Sequence, residues 1–500
     1  MPLEDAVTET GEKYKLEREL GRGGQGNVFI CSTGNLVKIC KHATKLSLRN
    51  LIREFQSMPK QVKGFFSVPQ QLVKSGTQWG YIMPYQAKCV PLKDALAPLE
   101  PQKWENWHIQ PRDLKHRFLI SYRIAQAMAA LHGERYIYRD LSARNILIAE
   151  DATNTFVRII DVDNIAPVGQ SKSLLITKAY SAPELMRAGQ SRATGAVAYH
   201  NYNTDNYSLA VILFKFLLGK AHPLIGDLVS ADAVKREENA YLGKARYILD
   251  DPNQESISKE GELKMKKLAD ALIPYHLQQL FHKTFVEGLN LPDERPTALD
   301  FTSACFDAAN QVYFCPHCKC GYVLQIPQDI TPLGGHTSQQ VHAPISLFPH
   351  SCPHCGDSTP RKAVVIGDMV YPKIARKRPE DKSVSDNKPH KWFGRQLRYI
   401  FPIQNSDIVL AKKYIKPTAP AAQFEDGVCL FVRNGKIYFN RTQSVFNLYY
   451  QESQIINGKQ REVWHTVSHD ELLPINKNIY FEQYANDYEY AERFMKVIEE

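Results

Sequence analysis

The sequence predicts a multidomain chain: an α+β portion over residues 14–310, a cysteine module over 311–374, and a β-rich, sandwich-like domain over 392–500. Three observations predict this. Between residues 136 and 164, short runs of Ile, Leu and Val alternate with polar turns, the pattern of buried strands flanking loops. Two matching Cys-Pro-His-Cys turns begin at Cys315 and Cys352. From Trp392 onward, short β-like runs recur at the spacing of a small sandwich.

The totals set the outer limits. Five hundred residues suggest about two to four domains. The opening residues are acidic and polar, so no signal peptide is expected. The apolar run Leu209 to Leu218 is interrupted by Lys215 and is too short to span a bilayer. A cytoplasmic protein without a membrane partner is the expectation, and its ten cysteines then read as thiols or metal ligands rather than disulfides. Of the formal charge of +9, most lies within 311–400, where 12 Lys or Arg face 6 Asp or Glu. That excess fits a solvated linker better than a nucleic-acid surface.

Residues 1–13 read as a flexible acidic end. Next, Gly21, Gly23 and Gly26 fit G-x-G-x-x-G, with Val28 two residues on. Glycines let backbone amides approach phosphate oxygens, and the pattern alone also fits an ordinary hairpin. A second β-like run, Val28 to Cys31, follows where a dinucleotide fold needs a helix. Lys38 lies inside the apolar strand Leu36 to Cys40. Glu54 is the one acidic residue between Lys38 and Met58, on the helical-looking stretch Ser47 to Gln56. Gly80 to Gln86 reads as a strand leading into a connector, and Phe118 to Leu131 has helical periodicity.

Asp140, Asn145 and Asp161 sit beside the apolar runs of 136–164. Buried strands hold two carboxylates and an amide at fixed separation, as a general base and two metal ligands for phosphoryl transfer require. Asp161 to Glu184 spans 24 residues and ends Thr177-Lys-Ala-Tyr-Ser-Ala-Pro-Glu184. Asp205 precedes a buried-looking apolar helix, and Arg295 lies in Asp-Glu-Arg-Pro-Thr.

In this order and at these spacings, the motifs resemble the eukaryotic-like (Hanks-type) protein kinases. The resemblance implies a bilobal α+β kinase fold that uses ATP and Mg²⁺ on a protein substrate. It implies that Gly21, Gly23, Gly26 and Val28 cover the phosphates. Lys38 would reach the α- and β-phosphates, positioned by an ion pair with Glu54. The carbonyl of Pro84 and the amide of Gln86 would hold adenine, next to Met83 as gatekeeper. Asp140 would orient the substrate hydroxyl and take its proton, and Asn145 and Asp161 would hold Mg²⁺. Asp205 would cap the catalytic-loop backbone, and Arg295 would pair with Glu184. Thr177 falls where the Ser/Thr-specific branch keeps a Thr beside its catalytic Asp. Arg139 implies control by a phosphate on Ser171, Ser173 or Thr177.

Two positions depart from the pattern: Tyr138 replaces a His, and Asp163 replaces the Gly of the metal motif. Asp tolerates positive φ better than most residues, so the loop can still form. These variants resemble a bacterial subgroup associated with tellurite-resistance-type von Willebrand proteins and metal-dependent protein phosphatases, which the resemblance implies as partners.

Cys315 and Cys318, then Cys352 and Cys355, form two knuckles with 33 residues between the inner pair. Each turn aims two thiolates at one point, and four complete a tetrahedral, structural Zn²⁺ site, a zinc ribbon. Cys320, His317 and His354 are further donors nearby. Residues 375–391 read as a basic linker, and Asn434-Gly435 as a hairpin turn. Gly394-Arg395, Asn405 to Leu410 and Asn457-Gly458-Lys459 faintly resemble forkhead-associated domains, which bind phosphothreonine, without the Ser-Arg-x-His phosphate grip. The stretch Tyr484 to Glu499 reads as a helix. The leading expectation is a Ser/Thr protein kinase in signalling or stress response. Its rivals are a kinase-shaped scaffold without transfer and a nucleic-acid-binding zinc protein.

Overall fold

The computed structural model describes residues 5–96, 113–170, 175–190, 199–219, 222–224, 232–250, 269–325, 351–359, 361–370, 394–404, 406–415, 426–457, 459–475, 477–481 and 493–499. The chain divides into two units, 1–309 and 310–500.

The first unit opens with a seven-stranded antiparallel sheet. Its strands are β1 (Ala6–Thr8), β2 (Lys13–Tyr14), β3 (Leu16–Arg22), β4 (Gly26–Cys31), β5 (Leu36–Cys40), β6 (Gln71–Ser75) and β7 (Gln78–Met83), in the order β2-β1-β6-β7-β5-β4-β3. Residues 6–8, read from sequence as part of a flexible end, instead form β1 and pair with β6 and β2. Alternation explains this placement: Ala6 and Thr8 are buried on one face of the strand.

Helix α1 (Lys45–Ser57) packs on this sheet against β6 and β7. Thr44 caps it, accepting from the Ser47 amide at 3.1 Å, and the Ser47 hydroxyl in turn accepts from the Thr44 amide at 3.0 Å. Leu48, Ile52 and Phe55 form its buried stripe. Met58 is extended, as a residue before proline tends to be, and the helix stops there.

The rest of this unit is mainly helical. The helix Leu114–Gly133, capped by Asp113, packs against the helix Tyr202–Leu218. The latter is buried nearly all round, which matches its run of apolar residues. The same unit holds a three-stranded sheet, ordered Val157–Ile159, Ile146–Ala149 and Cys89–Pro91. The loops at its ends carry Asp140, Asn145 and Asp161.

The second unit starts with a hairpin, Val312–Phe314 with Gly321–Val323. A six-stranded sheet follows, ordered Gly394–Pro402, Lys362–Val370, Arg493–Glu499, Asn478–Phe481, Leu448–Ile456 and Lys459–Thr466. A three-stranded sheet holds Ile408–Ala411, Asp426–Arg433 and Lys436–Asn440. Asn434 and Gly435 join its hairpin with φ of 53° and 68°, the left-handed pair that a two-residue turn requires. Arg493–Glu499, read from sequence as the end of a helix, is a strand paired to Lys362–Val370. Met495 and Val497 are buried with half-buried Lys496 between them, a period of two that sheet packing rewards over helix propensity. The linker expected at 375–391 and most of the helix expected from Tyr484 lie outside the described residues.

Candidate active site

Lys38 is held by the register of the first sheet. It pairs across β4 with Val28 and across β7 with Tyr81, so all three side chains share one face. Lys38 is 3% exposed. Its ammonium lies 3.1 Å from Asp161 Oδ1, 2.8 Å from Asp163 Oδ1 and 2.9 Å from Asp163 Oδ2. Burial pulls its pKa down, but the Asp163 and Asp161 carboxylates outweigh that and hold it above the ordinary lysine range.

The loop opposite is braced through its backbone. Asp205 is buried; its carboxylate accepts from the amides of Tyr138 at 2.7 Å and Arg139 at 3.1 Å, and it lies 3.1 Å from His132 Nε2. Tyr138 is fully buried, and its hydroxyl donates to the Ile160 carbonyl just before Asp161. Arg139 and Asp161 both adopt the left-handed region, at φ of 68° and 55°. Non-glycine residues are strained there, and such strain concentrates at functional sites. Asp163, by contrast, lies in a short 3-10 turn, Val162–Asn164.

Asp140 and Asn145 come together at the end of this loop. The Asn145 side-chain nitrogen donates to the Asp140 carbonyl at 3.0 Å and approaches its Oδ2 at 3.4 Å. This fixes the amide orientation and leaves its oxygen as an acceptor. The Thr177 hydroxyl donates to Asp140 Oδ1 at 2.5 Å. Burial raises the Asp140 pKa, opposed by the hydrogen bond from Thr177. Glu184 binds Arg295 through two bonds, of 2.7 and 2.9 Å. A buried lysine, two strained loop residues and three converging oxygen side chains form one site.

The sequence profile described as "Protein kinase domain" matches residues 14–301. The chain belongs to the protein kinase family. It is 22% identical over 366 residues to "Protein kinase YegI" of Escherichia coli strain K12, covering 66% of this chain and 53% of that protein. It is 25% identical over 239 residues to "Probable serine/threonine-protein kinase CPE1738" of Clostridium perfringens, covering 45% of this chain and 31% of that one. A plant protein, "Cysteine-rich receptor-like protein kinase 26" of Arabidopsis thaliana, is 26% identical over 255 residues, 46% of this chain and 34% of its own. The chain thus spans about half, or less, of the length of these curated relatives.

Within the kinase domain, the glycine hairpin joins β3 to β4. A Cβ on Gly26 would lie 2.3 Å from the Ile39 carbonyl, so this glycine is required for strand packing. Added Cβ atoms at Gly21 and Gly23 meet nothing closer than 3.7 Å. Gln25 at the hairpin tip donates to the Asn164 side chain at 2.6 Å. Pro84 and Gln86, the expected adenine contacts, follow β7 and are half-buried.

Glu54 does not pair with Lys38. It is half-buried on α1 and accepts a hydrogen bond from the Tyr136 hydroxyl, whose pKa is pushed up to about 12 by burial and by this carboxylate. Among the described residues, the ion pairs of Lys38 run to Asp161 and Asp163 only. Glu54 is the only acidic residue between Lys38 and Met58, which is why the sequence points to it. The signal for the alternative was already present, in Asp163 standing where the family has glycine. Arg139 Nε donates to the Asn164 carbonyl at 2.8 Å. Ser171 and Ser173 lie outside the described residues.

The second unit gathers the four expected cysteines. Sγ of Cys315 lies 3.7 Å from that of Cys355, Sγ of Cys318 lies 3.8 Å from that of Cys352, and all four fall within 4.8 Å of one another. Tetrahedral Zn²⁺ with thiolates places sulfurs about 3.8 Å apart, so the donor set fits zinc. The two knuckles repeat one turn: Lys319 and Gly356 donate to the carbonyls of Cys315 and Cys352, at 3.0 and 2.9 Å, with φ of 62° and 76°. Cys320 Sγ instead approaches the Cys318 carbonyl, at 3.6 Å, and His354 Nε2 lies 3.2 Å from the Gly321 carbonyl. Cys315 and Cys352 share a core cluster with Tyr322, Ala363, Val365 and Ile400, so the knuckles and the six-stranded sheet are packed together.

Proposed function

We propose that this chain is a Ser/Thr protein kinase that transfers the γ-phosphate of ATP to hydroxyls of protein substrates. The observation that carries the reading is the convergence of Lys38, Asp140, Asn145 and Asp161 in one buried-walled site. Lys38 anchors phosphate oxygens by charge. Asp140 orients the acceptor hydroxyl and takes its proton, and burial favours that by raising its affinity for a proton. Asn145 and Asp161 offer the hard oxygens that suit Mg²⁺, which when bound offsets phosphate charge. The chemistry rests on positioning and electrostatics, with no covalent intermediate. Cys315, Cys318, Cys352 and Cys355 would hold a structural Zn²⁺ that ties the hairpin to the sheet beside it.

Preference for Ser and Thr is supported by the Thr177 hydroxyl seated on Asp140. It is supported also by the printed name of the Clostridium perfringens relative. No described helix is long and apolar enough to cross a membrane, and we place the kinase in the cytoplasm. A role in signalling or stress response, with the von Willebrand-type and phosphatase partners that the resemblance implies, completes the reading. The test is phosphoamino-acid analysis after incubation with radiolabelled ATP, Mg²⁺ and casein. Phosphoserine and phosphothreonine are expected; phosphotyrosine alone would overturn the specificity.

A further inference from the structure

We propose that Asp163 is the positioning partner of Lys38, in the role that family resemblance assigns to Glu54. The inference rests on the kinase reading and adds a device of this chain to it.

Both Asp163 oxygens are committed to the Lys38 ammonium, at 2.8 and 2.9 Å. Asp161 touches the same ammonium through Oδ1 alone, at 3.1 Å. The division of labour follows: Asp161 keeps an oxygen for a cation, while Asp163 is spent on the lysine. Asp163 is also the less exposed carboxylate, 19% against 36% for Asp161.

A third residue fixes Asp163. The Tyr81 hydroxyl, on a fully buried side chain, donates to its Oδ1 at 3.1 Å. Tyr81 lies directly across the β-ladder from Lys38, so strand register aims the ammonium and the phenol at one carboxylate. Glycine in this place, the family's residue, has no side chain to make these contacts.

Glu54 is occupied elsewhere, by the Tyr136 hydroxyl. Its helix is also tied at the other end, where Glu9 of the N-terminal strand segment pairs with Lys45 at 2.7 Å and with Arg49. Lys38 is therefore set by a loop that already carries the metal aspartate. No inward movement of α1 is needed to prepare it.

The test is a double-mutant cycle on steady-state phosphotransfer, with Asp140→Ala as the blank. Asp163→Asn is expected to lower kcat/KM for ATP about tenfold or more, with a raised KM, whereas in a Lys38→Met background it removes less than about twofold further. Glu54→Gln is expected to cost less than about threefold. Asp163→Glu keeps the charge and decides the question if the Asn variant loses its melting transition: it should recover part of the rate. A Glu54→Gln loss as deep as that of Asp163→Asn overturns the proposal. So does an Asp163→Asn loss that persists in full without Lys38, since a metal or purely structural role predicts that. Wild-type activity equal to the Asp140→Ala blank sinks the kinase reading and this role with it. Clear wild-type activity with either contrary pattern sinks this role alone.

Discussion

Thr177 donates its hydroxyl to Asp140 Oδ1 at 2.5 Å, across 37 residues of chain. The bond ties the segment before Glu184 to Asp140, the proposed general base. Thr177 is itself held, since its amide donates to the Ser181 hydroxyl at 2.9 Å and its carbonyl accepts from the Ser181 amide at 3.0 Å. Thr177→Val keeps the shape and removes the donor. An underbonded buried acceptor costs about 1–3 kcal/mol, so kcat should fall about tenfold. Thr177→Ser should stay close to wild type, and steady-state kinetics on the two variants separates them.

Glu184 and Arg295 make a two-bond ion pair inside the first unit. The Arg295 side chain is fully buried, and it also donates to the carbonyls of Gly288 at 2.8 Å and Asn203 at 3.0 Å. Removing one partner leaves a charge without compensation in a low-dielectric interior. Glu184→Gln should therefore destabilise this unit by about 3–5 kcal/mol in denaturant unfolding. A change below 1 kcal/mol would show the arginine to be satisfied by carbonyls alone.

Much of this site was legible in the chain. Asp140, Asn145, Asp161, Asp205 and Arg295 were readable because each sits in a local motif whose spacing follows from a loop between two strands. Asp205 does cap the loop amides, and Arg295 does meet Glu184. The partner of Lys38 was legible only as an oddity, Asp163 in place of the family's glycine; that it reaches Lys38, 125 residues away in sequence, depends on where the 161–164 loop folds back. Tyr138 was visible as a departure, but the target of its hydroxyl, the Ile160 carbonyl, is a tertiary fact. Arg493–Glu499 misled because a short alternating segment beside charged residues looks helical until a sheet claims it.

His222 predicts an acid-side weakness. Burial, with Lys215 adding to it, lowers its pKa to about 3, and its Nδ1 accepts from the Leu224 amide at 3.2 Å. The unfolded value is about 6.5, so the unfolded chain binds the extra proton first. The contribution to stability is complete above pH 6.5 and is lost steadily as pH falls toward 3. His200, also depressed by burial and accepting from the Leu175 amide, acts in the same direction. Urea midpoints measured between pH 7 and pH 5 should fall in the wild type and fall less in His222→Gln. Equal slopes would mean that the ring is solvated.

The cysteine cluster predicts one zinc per chain by elemental analysis. Cys315→Ser or Cys352→Ser should abolish it, whereas Cys320→Ser should keep it, because that thiol is not among the four that converge and approaches the Cys318 carbonyl. Chelation should also loosen the second unit, since the same two cysteines belong to its core. Retained zinc in the Cys315→Ser and Cys352→Ser variants would refute the assignment.

The most direct measurement is transfer of label from γ-labelled ATP to protein, in the presence of Mg²⁺, by the wild-type chain and by Asp140→Ala. A loss of about 10²-fold or more in the variant is the predicted result, given the usual weight of a positioned general base. Equal and negligible incorporation by both chains would contradict the account and leave a kinase-shaped protein that does not transfer phosphate.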